Sequence, residues 1–173
     1  MVGEIRDLET AQMAIQASLT GHLVFSTLHT NDAVGTLTRL MDMGVAPFLI
    51  ASTLEAVLAQ RLVRRICRHC RMPYEPSVAI LSQAGLDRVT PGTRRFYHGR
   101  GCDHCNQTGY QGRLGLFEWL RVTEPIRELV LQQAPAPLIR RQAVGQGMRT
   151  LREDGLRGVL DGETTLEEIV KHT

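Results

Sequence analysis

Two knuckles of the form C-x-x-C carry the most specific chemistry in this sequence. Cys67-Arg68-His69-Cys70 and Cys102-Asp103-His104-Cys105 are separated by 31 residues, and they hold all 4 cysteines of the chain. Pairs at that local spacing can aim two thiolates at one ion, and two pairs complete a tetrahedral set. The expected cofactor is therefore one structural Zn²⁺ on Cys67, Cys70, Cys102 and Cys105. The intervening loop is longer than in a usual zinc ribbon, but closure entropy grows only slowly with length. A thioredoxin-like dithiol is the competing reading. It needs one active pair at a strand-to-helix turn and leaves the second pair without a purpose. His69 and His104 lie inside the knuckles and could replace a sulfur, yet with four thiols at hand they read as solvated or supporting side chains. Four thiolates on Zn²⁺ carry about −2, which brings the formal net charge of +2 to about zero. Arg61, Arg64, Arg65, Arg68 and Arg71 surround the first knuckle. They read either as neutralisation of a thiolate centre beside a solvated face or as a patch for an anionic partner or membrane surface.

The second chemistry lies at the other end of the chain. Met1-Val2 reads as the end of a strand, which delivers Glu4 at its C-terminal edge. That is the geometry of a Walker-B element, whose carboxylate orients Mg²⁺ or the attacking water. A second expected strand, His22 to Leu28, mostly buried, runs into His29-Thr30-Asn31 and brings His29 to the same sheet edge, where open α/β folds bind ligands. A histidine there can donate to a phosphate oxygen or report its presence.

The elements that must position these groups fall into three stretches. Residues 1–66 alternate strand-like runs with helical periods, the pattern of a parallel α/β layer. Asp7 caps a helix with Leu8, Ala11, Ala14, Ile15 and Leu19, stopped at Thr20-Gly21. Thr30 or Asn31 caps a second with Val34, Leu37, Leu40 and Met41, closed by Gly44. Pro47 opens a long third helix whose apolar side runs through Ile50, Leu54, Val57, Leu58 and Leu62. Residues 67–113 are Gly- and Arg-rich, build little core and need a staple. Residues 114–173 hold a strand, Leu114 to Val122, and then a small helical subdomain with capping boxes at Thr150 to Glu153 and Thr165 to Glu168. Ala134-Pro135-Ala136-Pro137 reads as a stiff connector.

Composition excludes several functions. At 173 residues and 19.3 kDa the chain has the size of one domain, or one domain with a satellite. A hydrophobic fraction of 43% with 22% charged residues is that of a soluble globular chain, and no run approaches the roughly 20 apolar residues of a membrane span. With 20 Lys+Arg against 18 Asp+Glu, and 5% aromatics as stacking platforms, a zinc-ribbon nucleic-acid module is disfavoured. Lys171 is the only lysine, so the chain contains no phosphate-cradling P-loop and no buried Schiff-base lysine. The N-terminus shows no basic leader before an apolar stretch, which points to the cytosol and reduced thiols.

Several longer motifs, in order, now resemble one family. Val2-Gly3-Glu4-Ile5-Arg6-Asp7-Leu8-Glu9-Thr10-Ala11 resembles the Walker-B segment of the ATPases that power type II secretion and type IV pilus assembly. Gly21 to Asn31 is similar to their histidine box. Ala59-Gln60-Arg61-Leu62-Val63-Arg64 followed by a tetracysteine site resembles their zinc-bearing C-terminal region. Gly109-Tyr110-Gln111-Gly112-Arg113-Leu114-Gly115 with Glu118, and Gly147-Met148-Arg149-Thr150-Leu151 with Asp154-Gly155, follow the same pattern. The resemblance implies an α/β fold: the C-terminal part of a RecA-like P-loop ATPase core over residues 1–66, a tetracysteine zinc subdomain over 67–113, and a strand with a helical subdomain over 114–173. It implies Glu4 as the catalytic glutamate and His29 as the contact to the γ-phosphate, with Arg6 and His22 as supporting residues of the cofactor site.

For the whole motor the resemblance implies ATP with Mg²⁺ and a ring-shaped homo-hexamer at the cytoplasmic face of the bacterial inner membrane. There it works on platform and cytoplasmic-recruitment proteins to assemble pseudopilins or pilins. Retraction relatives generally lack the zinc site, so its presence points to the secretion or assembly branch. In the family the P-loop, the acidic box and a domain supplying arginines precede the Walker-B strand. The expectation is therefore a piece of a larger motor, inactive alone, or else a short paralogue serving as an adaptor.

Overall fold

Asp7, Asp32 and Ser77 each accept a hydrogen bond from a backbone N–H three residues on, and each thereby opens a helix. The computed structural model describes residues 1–86 and 95–173; residues 87–94, between the cysteine pairs, lie outside the described residues. Asp7 caps α1 (Leu8–Leu19), which closes into Gly21 at φ +91°, as the spacing of its apolar residues predicts. The cap of α2 (Ala33–Asp42) is Asp32 rather than Thr30 or Asn31. Its Oδ1 accepts from the Gly35 N–H at 2.7 Å, while the Thr30 hydroxyl pairs with that of Thr36 at 2.8 Å.

Pro47 does open a helix, but α3 (Pro47–Thr53) is short, and β1 (Ala56–Ile66) follows where the helix was expected to continue. The burial of β1 alternates. Val57, Ala59, Arg61, Val63 and Arg65 turn inward, whereas Leu58 and Leu62 remain 55% and 48% exposed. A period of two with a long-range partner overrode the helical reading of those leucines. The second expected strand is also corrected. Phe25 and Thr27 carbonyls accept from the Val2 and Ile5 N–H groups at 2.9 Å, but neither Met1-Val2 nor residues 22–28 form a strand, and Leu23 and Phe25 are 78% and 65% exposed. Two such bonds fall short of a ladder with a covered face.

The chain continues through β2 (Arg71–Tyr74), α4 (Val78–Gln83), β3 (Phe96–Gly99), a 3₁₀ turn (Asp103–Cys105) and β4 (Tyr110–Arg121). Then come α5 (Glu124–Leu131), α6 (Ala136–Gly145), α7 (Leu151–Leu160) and α8 (Leu166–His172). The segment expected as a connector is the start of α6, with Pro135 at its N-cap and Ala136-Pro137 in its first turn. β1 pairs with β4, and β2 pairs antiparallel with β3, setting Arg71 opposite Gly99 and Tyr74 opposite Phe96.

The described residues form two compact units, each assembled from two separated stretches: Met1–Ala59 with Glu118–Arg149, and Gln60–Phe117 with Thr150–Thr173. These units and the three consecutive stretches of the sequence reading divide the chain along different lines. The first unit has a core of Val34, Leu37, Ile50, Leu120, Ile126 and Ile139. In the second, Val63, Ile66, Leu116, Val159, Leu166 and Ile169 are buried. Its helices α7 and α8 approach closely because Gly155 lacks a Cβ, which would meet Ile169 Cδ1 at 2.6 Å.

Thr150 and Glu153 form the expected reciprocal capping box of α7. At α8 only half of the box forms. Thr165 accepts from the Glu168 N–H, but the Glu168 carboxylate, 2% exposed, turns to Arg64. Its Oε2 accepts from the Arg64 backbone N–H at 2.9 Å, and its Oε1 accepts from Arg64 Nε and Nη2 at 3.0 and 2.7 Å. Burial pushes the Glu168 carboxyl up, yet these Arg64 donors outweigh it and hold the group below its usual range. The pair therefore stabilises the fold above the ordinary carboxylate pKa, and that stability is lost as pH falls through the lowered value. Glu168→Gln is expected to cost about 1–3 kcal/mol at neutral pH, a gap that closes below about pH 4 in denaturant titrations compared across pH.

Candidate functional site

Two groups of residues have the chemistry of a site, one in each unit. In the first unit a cleft of about 190 Å³ is lined by Glu4, Ile5, Arg6, Leu28, His29 and Arg39. Glu4 stands just before α1, where the Thr27 hydroxyl donates to the Gly3 carbonyl at 2.8 Å and ties the two segments together. Arg6 Nε–H donates to Glu4 Oε2 at 2.6 Å. On the other side His29 Nε2 lies 2.6 Å from Glu4 Oε1, close enough for an ion pair but not aligned as a hydrogen bond; that oxygen is buried, with no hydrogen-bond partner among the described residues. Glu4 is 19% exposed at its side chain and His29 90%, so the carboxylate is set and the imidazole reaches into open space. Such a contact can tighten when a third group enters.

The structure thus brings Glu4, Arg6 and His29 together and leaves His22 apart. His22 Nδ1 lies 3.0 Å from the Thr20 hydroxyl and 3.3 Å from the Ala17 carbonyl, closing the end of α1. Arg39 is the lining residue that sequence reasoning missed. The apolar positions of α2 marked its buried face and put Arg39 at the surface, without saying which cleft it borders.

In the second unit the four thiols of Cys67, Cys70, Cys102 and Cys105 lie within 4.8 Å of one another. Cys67 and Cys102 sulfurs are 3.8 Å apart, Cys70 and Cys105 3.8 Å, and Cys102 and Cys105 3.7 Å. A tetrahedron with metal–sulfur bonds of about 2.3 Å has edges of about 3.8 Å, so the donors fit one tetrahedral ion, and they are far too separated for disulfides. The redox reading, which needs one independent pair, does not describe this convergence.

Backbone groups set the thiols. Gly109 donates its N–H to Cys105 Sγ at 3.3 Å and accepts from the Cys67 N–H at 2.9 Å, so one residue ties both knuckles. It must be glycine: its φ is +76°, and a Cβ there would collide with the Gly99 backbone. Burial pushes the Cys105 thiol up, but the N–H groups of Cys102 and Gly109 overcome it and bring it down to about 6. Burial raises Cys70 to about 11, with neighbouring thiols adding to the rise. His69 and His104, from equivalent positions of the two knuckles, stack with ring centroids 4.0 Å apart and are not among the converging donors. Of the nearby arginines, Arg64 lies 4.0 Å over the Tyr110 ring as well as on Glu168, Arg65 pairs with Glu163, and Arg71 lies 4.0 Å over Tyr97.

The sequence model of the type II/IV secretion system protein family matches residues 1–171. The chain belongs to that family. The type II secretion system protein HxcR of Pseudomonas aeruginosa is 53% identical over 173 residues, which is 100% of this chain and 33% of HxcR. The type IV pilus assembly ATPase PilB of Thermus thermophilus is 50% identical over 173 residues, 100% of this chain and 20% of PilB. The chain therefore spans a third or less of the length of these relatives. A crystal structure of the pilus retraction motor PilT with bound ADP has a TM-score of 0.64, covering 99% of this chain and 39% of PilT at 24% identity, a likeness of fold. The expected α/β ATPase-type architecture with a tetracysteine cluster is thus the one this secretion-family chain has. Among the described residues no helix is long and apolar enough to cross a membrane.

Because Gly109 and the four sulfurs close the region that has little apolar core, Cys105→Ser is expected to release amide protection around both knuckles. Amides near Ile126 and Ile139, in the other unit, should keep theirs. Hydrogen exchange read by mass spectrometry checks this, and a uniform loss of protection would refute it.

Proposed function

We propose that this chain is the part of a type II secretion ATPase that carries the catalytic glutamate, the histidine sensor and the metal-bearing subdomain, in a motor whose ATP hydrolysis drives pseudopilin assembly. The observation that carries this reading is the convergence on Glu4: Arg6 on one carboxylate oxygen and His29 2.6 Å from the other, in one cleft. Glu4 orients the attacking water and takes its proton, and Arg6 fixes the direction in which the carboxylate points. His29 exchanges its contact with Glu4 Oε1 for a phosphate oxygen, which makes it a reporter of the terminal phosphate. His22 stays outside the cleft and closes the end of α1 on Thr20 and Ala17. Bound ATP with Mg²⁺ supplies the anhydride to be cleaved.

The four cysteines hold one structural Zn²⁺, and the subdomain they close is the docking surface for the inner-membrane platform and cytoplasmic-recruitment proteins. With Arg64, Arg65 and Arg71 answered inside their own unit, docking proceeds through protein rather than an anionic membrane surface. The motor works as a homo-hexamer at the cytoplasmic face of the inner membrane. A second reading, a type IV pilus assembly ATPase, is favoured by the 50% identity to PilB.

Without P-loop amides and lysine around the β- and γ-phosphates, most nucleotide binding and charge stabilisation are missing. The 173-residue chain alone is therefore expected to show no ATP turnover above background; turnover that vanishes in Glu4→Gln would overturn this. Joined in cis to a P-loop-bearing segment, the same substitution should lower kcat by about a hundredfold or more and leave KM nearly unchanged. Elemental analysis of the purified chain should find about one equivalent of zinc, absent from Cys67→Ser.

A further inference from the structure

We propose that Glu118 is a positioning residue for His29, its buried carboxylate fixing the turn that carries the imidazole into the cleft. The proposal rests on the reading of His29 as part of the nucleotide site. Glu118 lies in β4 and is 1% exposed, a costly place for a carboxylate unless donors answer it. Its Oε1 accepts from the Ala33 N–H at 2.8 Å. Ala33 is the first residue of α2, four positions after His29, and is itself fully buried, so water cannot serve its N–H and an internal acceptor must.

The neighbouring residues of the turn are pinned in the same way. Asp32 Oδ1 accepts from Gly35, its Oδ2 accepts from Arg140 Nη2 at 2.9 Å, and Thr30 pairs with Thr36. Asp32 already caps the helix, so Glu118 is not needed as the N-cap. What it adds is a fixed direction for the chain as it leaves α2 toward His29, reinforced by a negative charge at the positive end of the helix. His29 is mostly exposed, and the contact shown at its ring is the one with Glu4. Its placement over Glu4 is therefore inherited from the turn, and a displacement of about 1 Å there is enough to break a contact of this kind.

The test uses the 173-residue chain with Glu118→Leu, which removes the acceptor but suits an apolar site, and Glu118→Gln, which keeps an acceptor oxygen. Two readouts are taken at one pH: amide exchange of Ala33 and the ring ¹⁵N resonances of His29, with the His22 ring as internal control. In Glu118→Leu, Ala33 exchange should accelerate by about tenfold or more while amides of Val130 and Ile139 keep their rates. The His29 ring signals should move while those of His22 stay. Glu118→Gln should restore both readouts most of the way toward the native chain. Unchanged Ala33 exchange and His29 signals in Glu118→Leu would overturn the proposal. So would equal acceleration of all core amides, or equal shifts of both histidines, because Glu118 would then act on stability alone. Neither readout depends on ATP turnover, so failure of the ATPase reading is separately visible.

Discussion

A carboxylate removed from water has to be met by directed donors, and each unit of this chain is built around one such requirement. In the first, Glu118 takes the N–H of Ala33; in the second, Glu168 takes the backbone N–H and guanidinium of Arg64. In both, acceptor and donor come from elements far apart in sequence. Apolar packing tolerates small slides between elements, whereas a buried ionised group without its donors does not. The register of α2 against β4, and of α8 against β1, is therefore set by a polar pin inside an otherwise apolar core. The same pin explains why the capping box at α8 stays half made. Glu168 can serve the Thr165 N–H or Arg64, and the buried, charge-assisted set wins.

The cysteine region solves a different problem. Between Cys70 and Cys102, the buried apolar side chains of the described residues are Leu81, Ala84 and Phe96. Order comes from closure at one point, where four sulfurs converge and Gly109 serves both knuckles with one N–H and one carbonyl. On the proposed zinc reading, ion binding at a site of this donor set would contribute on the order of 10 kcal/mol to folding, enough to replace a missing core. Gly99 and Gly109 must both be glycine for the backbones to pass, so the glycine content of this stretch reflects closeness rather than looseness.

What the sequence made legible follows from how local each signal is. Knuckle spacing, the Asp7 cap and the Thr150 to Glu153 box are written in neighbouring residues, and each is found where expected, while the strand read at Leu114 to Val122 is there but begins at Tyr110 and ends at Arg121. β1 was hidden because Ile50, Leu54, Leu58 and Leu62 keep helical spacing, and only the pairing with β4, about 60 residues on, selects the strand. Leu23 and Phe25 read as buried because apolar residues usually are, but burial needs a covering face as well as a side chain. That Asp32 rather than Thr30 or Asn31 caps α2 is not written locally, for its partner Arg140 lies 108 residues away. That Glu4 and His29 share one cleft, that Arg6 rests on Glu4 itself, and that His22 turns away to Thr20 are facts of the fold.

On the proposed nucleotide-site reading, the charge balance around Glu4 is what would let a site built on a carboxylate face a phosphate. A lone ionised glutamate in a cleft repels a polyanion at close range. Arg6, two residues on in the same turn, offsets that charge permanently because the chain itself keeps it there. Arg39 adds a guanidinium to the lining from α2. His29 is held less firmly: its side chain is the most exposed of the three groups at the carboxylate, and it meets Glu4 without an aligned hydrogen bond. Binding strength and chemistry are thereby assigned to different parts. On the proposed nucleotide-site reading, the acid and its fixed counter-charge are in place beforehand, whereas the histidine would be free to trade partners.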